Sequence, residues 1–215
     1  MTRSKLTVLT GATSGGGWPG LSAYTAGLTA KWTLKQGYAL LCLGQAHYDA
    51  KRAWAWSKLP QIMTAFSFSD AVLWIDGDAA VTNSERRMED IFRPEDEIVV
   101  TYNEQDRHLE CGSFFIRRTD RTLALLDEWW ARTDCVGQWF EEQRALDLMW
   151  KEGRLEGMMR TVGWREILSG RACGWPTDGT GHPAAWCPGD FICHCGAAAV
   201  EARLKAFKEI EECMT

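Results

Sequence analysis

Short apolar runs alternate with longer amphipathic stretches along this chain. Leu6-Thr-Val-Leu-Thr10 reads as a first strand, and a Gly-rich loop follows over residues 11–20. Residues 21–36 read as a helix stopped by Gly37, since glycine accepts the left-handed conformation that closes a helix. Residues 38–43 give a second strand. Residues 50–66 form an amphipathic helical stretch with Trp54 and Lys58 four apart on one face. Ala71-Val-Leu-Trp-Ile75 is almost continuously apolar, as expected of a central strand covered on both faces. Further strands are predicted at 96–102, 112–117 and 190–193, and further helices at 120–132, 141–153 and 197–213. Residues 154–188, with many Gly, Trp and Pro, read as loops over one edge of a sheet. Strands alternating with helices imply an α/β fold with a mostly parallel central sheet and helices on both faces. The 215 residues fit one domain, 1–215, standing alone or as the N-terminal part of a longer polypeptide.

Composition narrows the function classes. Apolar residues make up 46% and charged residues 25%, and the formal net charge is −5. That balance is ordinary for a globular protein and lacks the basic stripe of a duplex-binding surface, so nucleic acid is not expected as a partner. Twelve tryptophans are mostly core by expectation, with some lining a cleft where an indole stacks on a sugar or a base. The chain opens Met1-Thr-Arg-Ser-Lys5 and shows neither an apolar signal core nor a span of about 20 apolar residues. The expectation is a soluble cytoplasmic protein, without a membrane segment, whose eight cysteines stay as thiols. Cys187, Cys193 and Cys195 flank His194, but the spacing is irregular and no second paired unit exists, so structural zinc is not favoured.

The chemistry concentrates at Asp76-Gly77-Asp78. Ligands of open α/β sheets bind beyond the carboxyl ends of the strands, and this triplet ends the most apolar predicted strand. Gly77 is expected to let the chain turn sharply, so that both carboxylates face one cation. Hard oxygen ligands suit Mg²⁺ or Mn²⁺, which bridges the two phosphates of a nucleoside diphosphate. The plain alternative is a pair of solvated turn aspartates, and a turn Asp78 replaced by Ala is expected to leave the fold intact. Gly15, Gly17 and Gly20 satisfy a dinucleotide fingerprint. However, their loop starts late, Pro19 interrupts it, and the acidic residue about 20 positions on is missing. An aspartyl-phosphate hydrolase would carry Thr or Val where Ala80 stands, and its Asp pair would end the first strand.

Five segments in order resemble a known family: Arg52-x-x-x-Trp56-x-Lys58, Ser69-Asp-Ala-Val-Leu-Trp-Ile-Asp76-Gly-Asp78-Ala, Cys111-Gly-Ser-Phe-Phe-Ile-Arg117, Glu141-Glu-Gln143, and Phe191-Ile-Cys-His194. Together they resemble the yeast mannan α-galactosyltransferases and plant xyloglucan xylosyltransferases. In length they are most similar to the soluble glycosyltransferase domains of large algal viruses. The resemblance spans roughly residues 5–200. It implies a GT-A fold, a nucleotide-sugar donor (UDP favoured over GDP), a divalent metal, a glycan or glycoprotein acceptor, and retention of anomeric configuration. By position it implies that Asp78 binds the metal directly, that Asp76 holds the ribose or a metal-bound water, and that His194 completes the metal site. Thr10, Gly11 and Ala12 would touch base and ribose through backbone groups. Arg52, Lys58, Gly112 and Ser113 would lie near the donor.

Glu142 and Gln143 take the catalytic places in that comparison. An acidic group beneath the anomeric carbon stabilises an oxocarbenium-like transition state, and an amide does similar work or binds the sugar. The competing reading is a solvated first helical turn, where the macrodipole favours Glu anyway. Glu110-Cys111 replaces the family's Asn-Thr. The family's lysine soon after the metal histidine is missing, with residues 197–199 all Ala instead. The rival of another class is a non-catalytic nucleotide-sugar or glycan-binding module.

Overall fold

The computed structural model describes residues 6–11, 17–44, 48–170, 185–196 and 199–214. Ala12 and Gly15 lie outside them, as do residues 171–184 of the predicted loop region and the start of the last predicted helix.

β1 (Thr7–Gly11) leads to α1 (Trp18–Gln36), which Gly37 closes in the left-handed region as expected, and then to β2 (Ala39–Leu43). A 3-10 turn at Trp54–Ser57 runs into α2 (Lys58–Ala65), so the predicted 50–66 helix is shorter and begins later. β3 (Ala71–Ile75) precedes the short β4 (Ala79–Val81). β5 (Ile98–Asn103) and β6 (His108–Arg117) are followed by α3 (Asp120–Ala131) and α4 (Glu141–Lys151). β7 (Met159–Val162) and β8 (Leu168–Gly170) occupy a region read as loop. β9 (Ile192–His194) and α5 (Val200–Cys213) complete the order.

The central sheet has six strands in the order β2-β1-β3-β6-β5-β7, and β4-β9-β8 form a second, smaller sheet. β1 is parallel to both β2 and β3, and β7 is parallel to β5, while β6 is antiparallel to β3 and to β5. Five strands therefore point one way and β6 opposes them. The cause is local: residues 104–107 join β5 to β6 directly, and so short a connection permits only an antiparallel pair.

Alternation along β3 sends Val72 and Trp74 into one core and Ala71, Leu73 and Ile75 into another. The first core packs under α2, α3 and α4, with Trp56, Leu59, Leu126, Trp129 and Leu146 all buried. The second packs under Trp32 of α1 and the small sheet, through Val81, Leu168 and Ile192. A third cluster joins α5 to α1 and the small sheet through Phe207, Leu21 and Cys193. Helices thus cover both faces. Trp32, Trp56, Trp74 and Trp129 are fully buried, and Trp18, Trp130, Trp150, Trp164 and Trp186 pack partly buried against the clusters, so most tryptophans belong to the core. No helix among the described residues is long and apolar enough to cross a membrane.

Candidate active site

The carboxyl ends of β1 and β3 lie side by side, with Thr10 paired to Ile75. Immediately after β3 the chain folds over at Asp76-Gly77-Asp78. The Asp76 N–H donates to the Gly112 carbonyl at 2.8 Å, and the Ala79 N–H closes the turn on the Asp76 carbonyl at 2.9 Å. Gly77 is required for a reason other than the expected turn. Its φ is not in the left-handed region, but a Cβ there would stand 2.5 Å from the Gly11 carbonyl oxygen and 2.8 Å from Ser22 Oγ. Close approach of two strand ends, not backbone torsion, excludes a side chain.

β4 carries the turn into the small sheet, where Ala79 pairs with His194 of β9. The Cys195 N–H donates to the Asp78 carbonyl at 3.0 Å. These bonds bring His194 over the turn from 116 residues away in sequence, and its Nε2 lies 3.2 Å from Asp78 Oδ1. Gly112 makes room for the imidazole: a Cβ there would fall 2.7 Å from His194 Nδ1. Ligand atoms of Asp76, Asp78 and His194 all lie within 4.8 Å of one another, forming a possible metal-binding triad. Two carboxylate oxygens and one imidazole nitrogen suit a borderline divalent ion, and the gap at Gly112 admits the third ligand, so these residues fit such an ion.

Beneath Asp76 lies a buried cation. Lys58, at the first position of α2, is only 2% exposed. Its Nζ sits 2.9 Å from Glu142 Oε1 and 3.3 Å from Asp76 Oδ1, and donates to the Cys111 carbonyl at 3.1 Å. Burial alone would lower the lysine pKa, but the charges of Asp76 and Glu142 outweigh it and hold it raised. The same Asp76 Oδ1 accepts the Trp74 indole N–H at 2.6 Å. Burial raises the Asp76 carboxyl and Lys58 opposes it, with the net direction upward. Asp78 goes the other way: burial would raise it, yet His194 and Arg203 hold it below the ordinary carboxylate value. For His194 burial pulls down and Asp78 pulls up, so its pKa rises to about 9.

Glu142 and Gln143 are both buried in the first turn of α4 rather than solvated. The Gln143 Oε1 accepts from the Cys111 N–H at 3.0 Å, which leaves its NH₂ as the end able to meet a ligand. Their neighbour Glu141 has a different task. Its carboxylate takes the Trp56 indole N–H at 2.6 Å and the Gly137 N–H at 2.9 Å, stitching the helix start to the 3-10 turn. Phe140, which precedes it, is held at φ 56°, a costly conformation for a non-glycine residue that the surroundings must impose. Trp139 and Phe140 are 80% and 55% exposed.

The remaining sequence-predicted residues divide. Thr10 and Gly11 end β1 beside the turn. Ser113 is wholly buried, and its hydroxyl donates to the Trp74 carbonyl at 2.9 Å, so its visible work is to lock β6 to β3. Arg52 stacks its guanidinium on Trp56 and Trp130, 4.7 and 4.1 Å from the ring centres, with Asp49 at 3.7 Å. Asp78 is not a simple turn residue. It is buried between His194 and Arg203 of α5, so the premise that it contributes little to the fold is removed: Asp78→Ala would strand two positive partners.

Arg203 itself was not read from the sequence. It lies nine residues after His194, on a helix whose local pattern carries no signal of a site. Cys193 and Cys195 flank His194 and are buried, outside any disulfide. Among the described residues the Asp76–Asp78–His194 group is the one cluster of three or more potential ligands.

This architecture is the GT-A fold of solved glycosyltransferase structures. The chain is similar to the structure of a glycosyltransferase involved in glycosylation of the major capsid of PBCV-1, with a TM-score of 0.75, 14% identity, and coverage of 95% of this chain and 99% of that one. It is also similar to galactosyltransferase LgtC in complex with donor and acceptor sugar analogues (TM-score 0.54, 12% identity, 97% and 96% covered). Mouse xyloside xylosyltransferase 1 matches at a TM-score of 0.51 and 8% identity over 90% and 98% of the two chains. At such identities the likeness defines the fold, and the resemblance to viral glycosyltransferase domains read from the motifs is borne out at that level. No protein-family model matches the chain, and no curated protein matches it in sequence.

Proposed function

We propose that this chain is a single-domain, metal-dependent glycosyltransferase that moves a sugar from a nucleotide-diphosphate sugar, UDP-linked by preference, to a glycan acceptor with retention of configuration. The observation that carries the reading is the convergence, at the carboxyl ends of β1 and β3, of an Asp76–Asp78–His194 triad with a second acidic group, Glu142, coupled to Asp76 through Lys58. A binding module needs the first feature but not the second.

Asp76, Asp78 and His194 would hold a divalent ion, Mn²⁺ or Mg²⁺, which supplies Lewis-acid stabilisation of the leaving diphosphate. The end of β1, with Thr10 and Gly11, offers backbone groups to base and ribose. Lys58 keeps the Glu142 carboxylate fixed and directed toward the turn, where its negative charge stabilises positive charge developing at an anomeric carbon. The Gln143 NH₂ orients a sugar hydroxyl. The exposed Trp139 and Phe140, directly before α4, give an acceptor pyranose an aromatic face to lie on.

A screen of nucleotide sugars for hydrolysis and transfer, with Mn²⁺ and after chelation, tests the reading. The expected result is turnover of a UDP-sugar only with the metal present. Metal-dependent donor binding without turnover on any acceptor or water would sink the enzyme reading in favour of the binding module.

A further inference from the structure

Asp78 is gripped from two sides, and one grip comes from outside the sequence motifs. His194 Nε2 lies 3.2 Å from Oδ1, while Oδ2 accepts from Nη1 of Arg203 in the first turn of α5. The Arg203 guanidinium also lies 4.9 Å from the ring centre of Trp18, the first residue of α1. Further along, α5 is fastened to α1 by Glu211, which accepts from the Tyr24 hydroxyl and from Lys31 Nζ at 2.6 Å. Packing of one helix on another therefore delivers the guanidinium to the carboxylate.

The charges are apportioned between the two aspartates. Asp76 has its own cation in Lys58, and Asp78 has Arg203. The two differ in access. The Lys58 side chain is sealed at 2% exposure below the site, while that of Arg203 keeps 12% exposure. A divalent ion entering the triad needs lone pairs of Asp78 that currently face positively charged donors, and a guanidinium on the same carboxylate repels the incoming dication.

We propose that Arg203 is the resident counter-cation of this site: guanidinium and divalent metal occupy Asp78 in exchange, and metal binds as Arg203 leaves. This rests on the metal-site reading of Asp76, Asp78 and His194. The diphosphate that accompanies the metal offers the displaced guanidinium pairs of anionic oxygens that its planar fork takes bidentately. Metal and nucleoside diphosphate then reinforce one another through Arg203, beyond their direct contact, and the reinforcement is reciprocal.

Calorimetric titration of Mn²⁺, alone and with UDP, into the unmutated protein, Arg203→Met and Arg203→Lys tests the exchange. Methionine keeps an apolar stem against Trp18 and removes the charge. The expected result is that Arg203→Met binds Mn²⁺ alone about 10-fold tighter or better, the equivalent of about 1.4 kcal/mol, and gains less than the unmutated protein when UDP is added. Arg203→Lys should return toward the unmutated values. In the unmutated protein, the Arg203 Nε–H NMR resonance should shift as Mg²⁺ saturates, a readout that does not depend on any variant folding. Unchanged or weaker Mn²⁺ binding by a folded Arg203→Met, or an Arg203 resonance indifferent to Mg²⁺, overturns the exchange. Failure of the unmutated protein to bind Mn²⁺ with or without UDP overturns the metal-site reading itself.

Discussion

Replacing Lys58 by Met tests the electrostatic floor of the site. Methionine preserves most of the stem volume beside Trp74 and deletes the ammonium that lies 2.9 Å from Glu142 and 3.3 Å from Asp76. At an effective dielectric of about 20, each such contact is worth about 5 kcal/mol of Coulomb attraction, set against the cost of desolvating the partners. Removing one member of a buried pair typically costs about 3–5 kcal/mol, because the remaining charge is left uncompensated. In a domain of this size that is a drop in Tm of about 6–20 °C. The pH dependence has a definite sign. Burial already raises the Asp76 carboxyl and Lys58 opposes that shift, so the variant raises it further. A folded state that binds more protons than the unfolded one gains stability as pH falls, and the deficit should shrink between pH 7 and pH 5. Adding Glu142→Gln to Lys58→Met should likewise recover part of the loss. Thermal unfolding followed by circular dichroism at the two pH values measures all of this. A Tm at pH 7 within about 2 °C of the unmutated protein, or a deficit equally large at pH 5, would refute the reasoning.

Other expected outcomes follow from single contacts. Gly112→Ala places a methyl 2.7 Å from His194 Nδ1, so the ring must move, and Mn²⁺ affinity should fall about 10-fold or more by calorimetry; unchanged affinity would remove His194 from the metal site. Glu142→Gln should lower turnover about 10²-fold while leaving donor affinity nearly unchanged, and full turnover would show that the carboxylate serves only to neutralise Lys58. Trp139→Ala should raise the acceptor KM and leave donor hydrolysis unaltered; the opposite pattern would place the aromatic pair on the donor side. Away from the site, burial would raise Asp96, but the bidentate Arg160 bonds at 2.9 and 2.6 Å hold it lowered. Its stabilisation is complete above the unfolded value of about 3.9 and is lost as pH falls through the folded one. Asp96→Asn should therefore cost about 1–3 kcal/mol at pH 7 and flatten the acid limb of the stability curve; parallel curves for the two proteins would contradict this.

Much of this was already in the order of residues. The apolar run of β3 marked a central strand because a strand covered on both faces has no position for a polar side chain, and the acidic triplet after it marked the ligand-binding end. The 3.6-residue pattern located α1, α3 and α4, and the Phe-Ile-Cys run placed His194 at a strand end. Tertiary structure decided the rest. The β7 and β8 strands lie in Gly- and Trp-rich sequence, and they form by pairing with β5 and β9 rather than by local propensity. Lys58 reads as lying near the donor, but nothing near it in the chain is acidic, so its burial between two carboxylates was not legible; those partners come from the ends of β3 and α4. Gly77 and Gly112 were legible as glycines, but the atoms that require them, the Gly11 carbonyl and the His194 ring, belong to other strands. Arg203 was invisible for the same reason. Periodicity reports which face of an element is buried, whereas charge pairing at a site depends on which elements meet, and that is fixed only when the whole sheet and its covering helices are packed.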